Sequence, residues 1–183
     1  MRSRIWIPLI AALAAAPAGW LVSDHFEGRN AFCASCHLDA ATPLHDAKLE
    51  DFLAAPATSL VAAHHQAKPE FRCIDCHGGA SFPNKLRVKT VAARDAFLYL
   101  LGRFEEPTDM EHPLWSEDCA QCHASYESAR DDAFHAIEVH NLPDFEYECV
   151  KCHQAHPTGR ESSLDYLERE PLVAVCRNCH EEY

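Results

Sequence analysis

The sequence predicts a mostly α-helical chain with much irregular structure, organised by something other than an ordinary apolar core. The alternation of polar and apolar residues that is typical of β-strands is nearly absent. The second observation is the composition: the 183 residues include 10 Cys and 13 His. So many cysteines and histidines in a short chain are typical of folds held by cross-links or bound groups rather than by apolar burial alone.

Length and charge limit the classes of function. A chain of 183 residues is long enough for one ordinary domain. The 28 acidic residues outnumber the 16 basic ones, which gives a formal net charge of -12. This balance argues against nucleic-acid binding, because phosphate groups require a basic face. We expect basic docking sites on any partner protein.

The first predicted element is an apolar helix near the N-terminus. Residues 5–22 carry no charge and follow Arg2 and Arg4. As a helix this segment spans about 27 Å, close to the ~30 Å of a bilayer core. The two arginines predict that the N-terminus faces the cytoplasm, and Trp20 suits the outer membrane interface.

These features divide the chain into two parts. Residues 1–24 are predicted to be an N-terminal membrane anchor, or alternatively a cleaved signal peptide with Ala14-Ala15-Ala16 as its cleavage region. Residues 25–183 form the predicted domain, on the periplasmic side of the cytoplasmic (inner) membrane.

Four later stretches favour helices. A helix is predicted over His45–Leu53, and the longest over Lys85–Phe104, where Gly102 is the predicted stop. Ser125–His140 and the charged stretch Glu161–Glu170 complete the set. The longest helix is basic in an acidic chain, which predicts either a solvated helix packed on a cofactor or contact with a membrane surface or its quinone.

All ten cysteines belong to five copies of one pattern, C-x-x-C-H. The copies are Cys33/Cys36/His37, Cys73/Cys76/His77, Cys119/Cys122/His123, Cys149/Cys152/His153 and Cys176/Cys179/His180. This is the attachment signature of c-type haem. Two thiols one helical turn apart reach the two vinyl groups of one porphyrin, and the following imidazole is the proximal ligand of the iron.

Three other interpretations of the cysteines are weaker. Zinc ribbons use pairs of C-x-x-C without requiring His after each pair. Iron–sulfur clusters use other spacings, often with Pro after the last Cys. A disulfide framework does not place His identically five times. The sequence therefore predicts five covalently bound haem c groups, with about 37 residues for each, so that five stacked haems form the core.

Each six-coordinate iron needs a second, distal ligand. Eight histidines remain outside the motifs, whereas Met110 is the one methionine besides Met1. Most irons are therefore expected to have two His ligands and a low potential. The distal candidates are His45, His64, His65, His135, His140 and His156, ahead of His25 and His112.

The chain resembles the NapC/NirT/NrfH family of membrane-anchored quinol dehydrogenases. The resemblance covers residues 2–158 and includes the anchor, Ser59–His64 before the second motif, Gly78-Gly79 after it and the basic helix. It implies that His64 and His156 are distal ligands. It also implies that Lys89 and Asp95 belong to a quinol site, and that the protein oxidises membrane quinol.

The chain is also similar to small pentahaem periplasmic carriers of the NrfB type. These share the length, the five motifs and the surroundings of His45, His135, His140 and His156. That resemblance implies a soluble shuttle. The alternatives that stay open are therefore a quinol-oxidising membrane cytochrome of a respiratory chain, a soluble carrier, and a haem subunit of a larger membrane complex.

Catalysis and filament formation are the remaining hypotheses. All five motifs end in His and none in Lys, so the special lysine-ligated haem of pentahaem nitrite reductases is absent. No substrate-reducing site is evident, and electron transfer is the expected activity.

Overall fold

The described part of the chain is mainly helical. The computed structural model describes residues 15, 17–35, 44–105, 114–123, 134–135, 137, 140, 148–156 and 166–182. Helix α1 covers 17–27. The others are α2 (Asn30–Ala34), α3 (Leu44–Phe52), α4 (Leu60–Ala67), α5 (Cys73–His77), α6 (Phe82–Leu100), α7 (Ser116–Ala120), a 3₁₀ turn (Cys149–Lys151) and α8 (Arg169–Cys176). Across these residues the only extended element is an isolated bridge at Glu168, so the predicted helical class is confirmed there.

The apolar core is small and lies between α3 and α4. Phe52, at the end of α3, is 1% exposed and packs with Val61 and Phe71. Its ring is stacked on that of Phe71 with the ring centres 6.2 Å apart. Cys76 packs against this cluster. The core therefore joins directly onto one of the cysteine motifs.

Two of the predicted helices are confirmed with small shifts. The helix expected over His45–Leu53 runs over Leu44–Phe52. The long basic helix begins three residues before the expected start, because Pro83 lies in the first turn, where its missing N–H costs nothing. It ends at Leu100, and Gly102 follows with φ of 65°, the left-handed conformation that ends many helices.

The two later helix predictions are placed differently. Most of Ser125–His140 lies outside the described residues, and Phe134 and His135 within it form a turn. The first half of Glu161–Glu170 is also outside. Tyr166 lies in a 3₁₀ turn, residues 167 and 168 are not helical, and α8 begins only at Arg169. Helix α4 was not predicted, although Ser59 caps it by accepting a hydrogen bond from Ala62 N at 3.3 Å.

Helices α1 and α6 are joined by one lysine. The Nζ atom of Lys89 on α6 lies 2.6 Å from Asp24 Oδ1 and donates to Ser23 Oγ at 3.0 Å and to Glu27. It also lies 5.6 Å from the centre of the Trp20 ring, a cation–π contact. Burial acts to lower the pKa of Lys89, but the two carboxylates outweigh it and raise that pKa.

The predicted membrane anchor falls mostly on residues that are not described. Only its end, from residue 17, is seen as part of α1. Among the residues that the structure describes, no helix is both long enough and apolar enough to span a bilayer.

Candidate functional site

The four cysteine motifs that are described in full fold locally as single helical turns. In the last three motifs the N–H of the His donates to the carbonyl of the first Cys at 2.9 Å, the spacing of one α-helical turn. The three histidines are His123, His153 and His180. This turn brings both cysteines of a motif to one side of the backbone and places the histidine next to them. Covalent haem attachment needs this arrangement.

Consecutive motifs are tied together by side chains that bind backbone N–H groups. Asn30 Oδ1, at the start of α2, accepts from Cys73 N at 3.0 Å. Asp118 Oδ1 on α7 accepts from Ala80 N, just after α5, at 2.7 Å. Ser116 Oγ accepts from Cys149 N at 3.1 Å. The first motif is thus fastened to the second, the second to the third, and the third to the fourth.

As a result, the attachment segments form a row in chain order. Helix α2 contacts α5, α5 contacts α7, α7 contacts the 3₁₀ turn, and that turn contacts α8. The thiols follow the same order, since Cys33 is hydrogen-bonded to Cys73 and Cys119 to Cys149. None of the nine described cysteines forms a disulfide. The row is therefore not held by disulfides among these nine.

The paired thiols affect one another's ionisation. The hydrogen bond from Cys119 lowers the pKa of Cys149 to about 6, and the same contact raises the pKa of Cys119. Burial, followed by the charge of Asp118, raises the pKa of Cys76 to about 11. The sulfur atoms of neighbouring motifs are thus close enough to interact.

Four motif histidines each face a histidine from outside the motifs. The distances between ring centres are 6.4 Å for His77 and His156, 5.9 Å for His123 and His64, 6.0 Å for His153 and His135, and 6.2 Å for His180 and His140. Each pair joins a predicted proximal ligand to a predicted distal candidate.

This spacing fits an iron between two imidazoles. A metal–imidazole nitrogen bond is about 2.0 Å, and the centre of a five-membered ring lies roughly 1.1 Å behind its nitrogen, so two rings on opposite sides of one metal have centres about 6 Å apart. Each ring is free to rotate about its bond to the metal, so the angle between rings is not fixed. The angles found, from 15° to 81°, are compatible with this.

Three of the distal candidates have an oxygen acceptor beside Nδ1. Nδ1 of His64 lies 2.8 Å from the carbonyl of Leu60, one turn earlier in α4. Nδ1 of His140 lies 3.3 Å from the carbonyl of Phe134. Nδ1 of His156 lies 3.3 Å from Asp51 Oδ2. A proton on Nδ1 fixes the tautomer in which Nε2 has a free lone pair, which is what a metal requires.

Burial affects the protonation of His77. Burial, followed by the neighbouring His156 and His45, lowers its pKa to about 4. The imidazole is therefore neutral at physiological pH, the form that binds a metal.

His65 is adjacent to His64 but has different surroundings. Its ring centre lies 4.5 Å from that of Phe52. Its Nδ1 is buried and has no hydrogen-bond partner among the described atoms. A buried nitrogen without a partner is costly, so this atom marks a place where a ligand group fits.

Two cavities lie along the row. The larger, of about 740 Å³, is lined by residues of the second, third and fourth motifs and by His64 and His135. The smaller, of about 620 Å³, is lined by His45, Cys76, His77 and Asp95. Both have the size of sites for large organic ligands. Motif cysteines and histidines in the walls of one space are what covalent haem requires, so the residues fit that group.

The fifth motif lies in more open surroundings than the second, third and fourth motifs. Cys179 is exposed and lines neither of these two cavities, whereas Cys122, the other exposed thiol, lines the larger one. The reason is that α8 ends at Cys176, and Cys179 lies in the turn beyond it, where its N–H donates to the carbonyl of Cys176 at 3.2 Å. The local turn of the motif is thus formed although the Cys179 thiol is exposed, and its thioether bond, like those of the other motif cysteines, stays a prediction.

The two quinol-site candidates lie on α6 but line different cavities. Lys89 lines the larger one, together with Trp20, Asp24 and Glu27. Asp95 lines the smaller one, and its carboxylate is 3.8 Å from Arg94 Nη1. They lie six residues apart, which puts them on different faces of the helix.

Several predicted residues lie outside the described part of the chain. Cys36 and His37 of the first motif are among them, as are His112 and Met110. His25 is described; it is exposed, and its Nε2 lies 2.7 Å from Arg29 Nη2. Sequence reasoning did not identify Asp51 or Asp118, because a lone Asp in a helix carries no pattern that marks its contacts.

The comparisons with known proteins concern the C-terminal part of the chain. Residues 104–181, less than half of the chain, match the family model described as cytochrome c3. No curated protein matches the chain, and no solved structure matches it. The matched region holds the last three motifs. The match supports a multihaem c-type cytochrome that carries covalently bound haem c and transfers electrons.

Proposed function

We propose that the protein is a pentahaem c-type cytochrome of the cytoplasmic membrane that passes electrons from the quinol pool, directly or through a partner, to a periplasmic acceptor of a respiratory chain. The observation that carries the proposal is the row of five attachment segments in contact in chain order. Bound haem supplies one-electron transfer at each position. The protein holds these positions close together, and a continuous row is what conduction requires.

The proposed ligand sets follow from the ring pairs. His77 pairs with His156, His123 with His64, His153 with His135 and His180 with His140. In each pair the distance between ring centres is that expected for two imidazoles on opposite sides of one metal ion. For the first motif we propose His45 or His65 as the ligand opposite His37. Two imidazoles at every iron close the coordination sphere, which favours electron transfer over substrate reduction.

The outer face of α6 supports a position at the membrane surface. Phe82, Leu86, Phe97 and Leu100 recur at helical spacing, and Leu100 is 80% exposed. The exposed cations Lys85, Arg87 and Arg94 lie beside this apolar stripe. An apolar stripe flanked by cations is typical of helices that lie in the interface of an anionic membrane.

The quinol step is proposed for the larger cavity beside Lys89. Its Nζ reaches that cavity while it is paired with Asp24 and Glu27, so donors and acceptors for a quinol hydroxyl lie together there. Asp95 is proposed as a second polar group, reached from the other side of α6.

Proteoliposomes test the quinol proposal. The full chain is reconstituted, and haem reduction by a menaquinol analogue is followed optically; we expect reduction that Lys89→Gln slows at least tenfold. Lys151→Gln, at an exposed lysine that lines neither cavity, is the control and should be reduced at the wild-type rate. If the analogue reduces nothing although dithionite reduces every haem, direct quinol oxidation is wrong.

The soluble carrier remains the second candidate, supported by the net charge of -12, which suits docking on a basic partner. It requires cleavage of the N-terminal segment. Cell fractionation decides between the two, because a carrier is found in the periplasm without about the first twenty residues.

A further inference from the structure

We propose that Asp51 is a positioning residue that holds His156 toward His77 and lowers the reduction potential of the iron between them. This inference rests on the proposed function, since it requires a haem at the second motif. Asp51 Oδ2 lies 3.3 Å from His156 Nδ1, although the two residues are 105 positions apart. Their side chains are only 11% and 24% exposed.

Asp51 is held in place by the core. It is the residue before Phe52, which is 1% exposed and packs with Val61 and Phe71. Helix α3 is thereby fixed, and the carboxylate is presented to His156 from a packed element. The His156 side is fixed as well, because the carbonyl of its neighbour Ala155 accepts from Val61 N at 3.0 Å.

The contact distinguishes this ligand from the distal candidate His64. Nδ1 of His64 faces a backbone carbonyl, which is neutral. Nδ1 of His156 faces a carboxylate instead. The ring pairs of these two histidines are similar in spacing, so this carboxylate makes the second site electronically different from the site of His64.

The chemistry follows from general properties of imidazole ligands. A carboxylate that accepts the Nδ1 proton makes the ring a stronger electron donor and fixes its orientation. A stronger donor and a nearby negative charge both favour the ferric over the ferrous ion. Lys48, one turn earlier on α3, also acts on His156 with the opposite charge, but Asp51 is the group in direct contact.

Redox titration of the membrane-bound holoprotein tests the inference. Asp51→Asn keeps an acceptor oxygen and removes the charge. We expect one of the five reduction steps to shift upward by about tenfold in its equilibrium constant, which is 59 mV for a one-electron couple, while the iron stays low-spin. Glu50→Gln removes the same charge from the adjacent, exposed position. This control should leave all five steps in place.

The result that overturns the inference is an Asp51→Asn protein with five haems and five unchanged steps. If that variant does not accumulate, Asp51→Glu is used instead. This variant keeps the negative charge, so its reduction potentials should match those of the wild type. An upward shift like that expected for Asp51→Asn would contradict the inference. Haem content distinguishes a failure of the proposed function from a failure of this inference. Absence of haem at Cys73 and Cys76 refutes the proposed function, whereas an unchanged potential with haem present refutes only the role of Asp51.

Discussion

His64 and His123 face each other across the larger cavity with their ring centres 5.9 Å apart. His123 completes the third cysteine motif, and His64 lies on α4, far earlier in the chain. Helix α4 is capped by Ser59 and holds Nδ1 of His64 against the carbonyl of Leu60, so the other nitrogen is free. This spacing is the one expected for two opposed ligands of one iron.

Replacing His64 tests this pair. In His64→Ala we expect all haems to stay attached, because the thioethers do not depend on the distal ligand, while one iron changes from low-spin to high-spin. EPR spectroscopy measures the change. His25→Ala, at an exposed histidine beside Arg29, is the matched control and should stay fully low-spin. An unchanged low-spin spectrum in His64→Ala would show that the ligand is another residue.

A distal ligand and a thioether cysteine are expected to contribute differently, and they are compared at His156, which faces the second motif, and at Cys152 of the fourth motif. His156→Ala should keep its haem content and gain a high-spin iron. Cys152→Ala should instead lower haem content and prevent much of the chain from folding, because one of the two thioethers of that motif is lost. Haem per chain and the EPR spectrum are measured together. Equal loss of haem in both variants would contradict the assignment of roles.

Asp118 is expected to be a main stabilising contact between the second and third motifs. It is 5% exposed and accepts from Ala80 N at 2.7 Å and from Trp115 N at 3.0 Å. Asp118→Ala leaves both N–H groups without this partner and should cost about 3 kcal/mol of stability. Thermal unfolding followed by circular dichroism measures it. The control is Glu117→Ala, an exposed acid next to it, and equal melting temperatures for the two variants would contradict the role.

The stabilising contact between α1 and α6 is expected to be lost at alkaline pH. Burial acts to lower the pKa of Lys89, but Asp24 and Glu27 outweigh it, so the folded-state pKa lies above the ordinary value of about 10.4. The stabilisation is then complete below about pH 10.4 and is lost as pH rises through the higher folded-state pKa. We expect Lys89→Met to cost about 1 kcal/mol at neutral pH and nothing once the wild-type lysine is deprotonated.

Melting temperatures measured at neutral pH and above the folded-state pKa of Lys89 check this expectation. The control is Lys85→Met, at an exposed position one turn earlier on α6. A difference between wild type and Lys89→Met that persists after deprotonation would mean that the lysine stabilises by packing and not by charge.

Local features of the fold could be predicted from the sequence. The five motifs identify themselves by spacing, and α3 and α6 follow from periodicity with proline and glycine at their borders. Helix α4 was missed because its sequence, LVAAHHQA, is apolar and short and has no alternating polar face. Its start signal, Ser59, was present but is shared by many loops.

The surroundings of each motif could not be predicted from its spacing. The five copies of C-x-x-C-H are equivalent as sequence, yet Cys76 packs against the apolar core and Cys179 is exposed. The difference arises from packing, because α5 lies against the Phe52 cluster whereas Cys179 follows the end of α8. A local pattern fixes the turn but not what surrounds it.

The pairing of histidines could not be predicted either. Which distal candidate meets which motif depends on contacts between distant segments, such as that of Val61 with Ala155. Local spacing contains no information on these contacts. The same holds for Asp51 and His156, which come together only when α3 packs beside the fourth motif.

Intact mass of the protein from separated membrane and soluble fractions tests the central claim most directly. We predict a membrane-bound species whose mass equals the whole chain plus five haem groups, because each of the five motifs provides two thioethers. A species with fewer haems, or none at the C-x-x-C-H cysteines, would contradict the pentahaem row on which the proposed function rests.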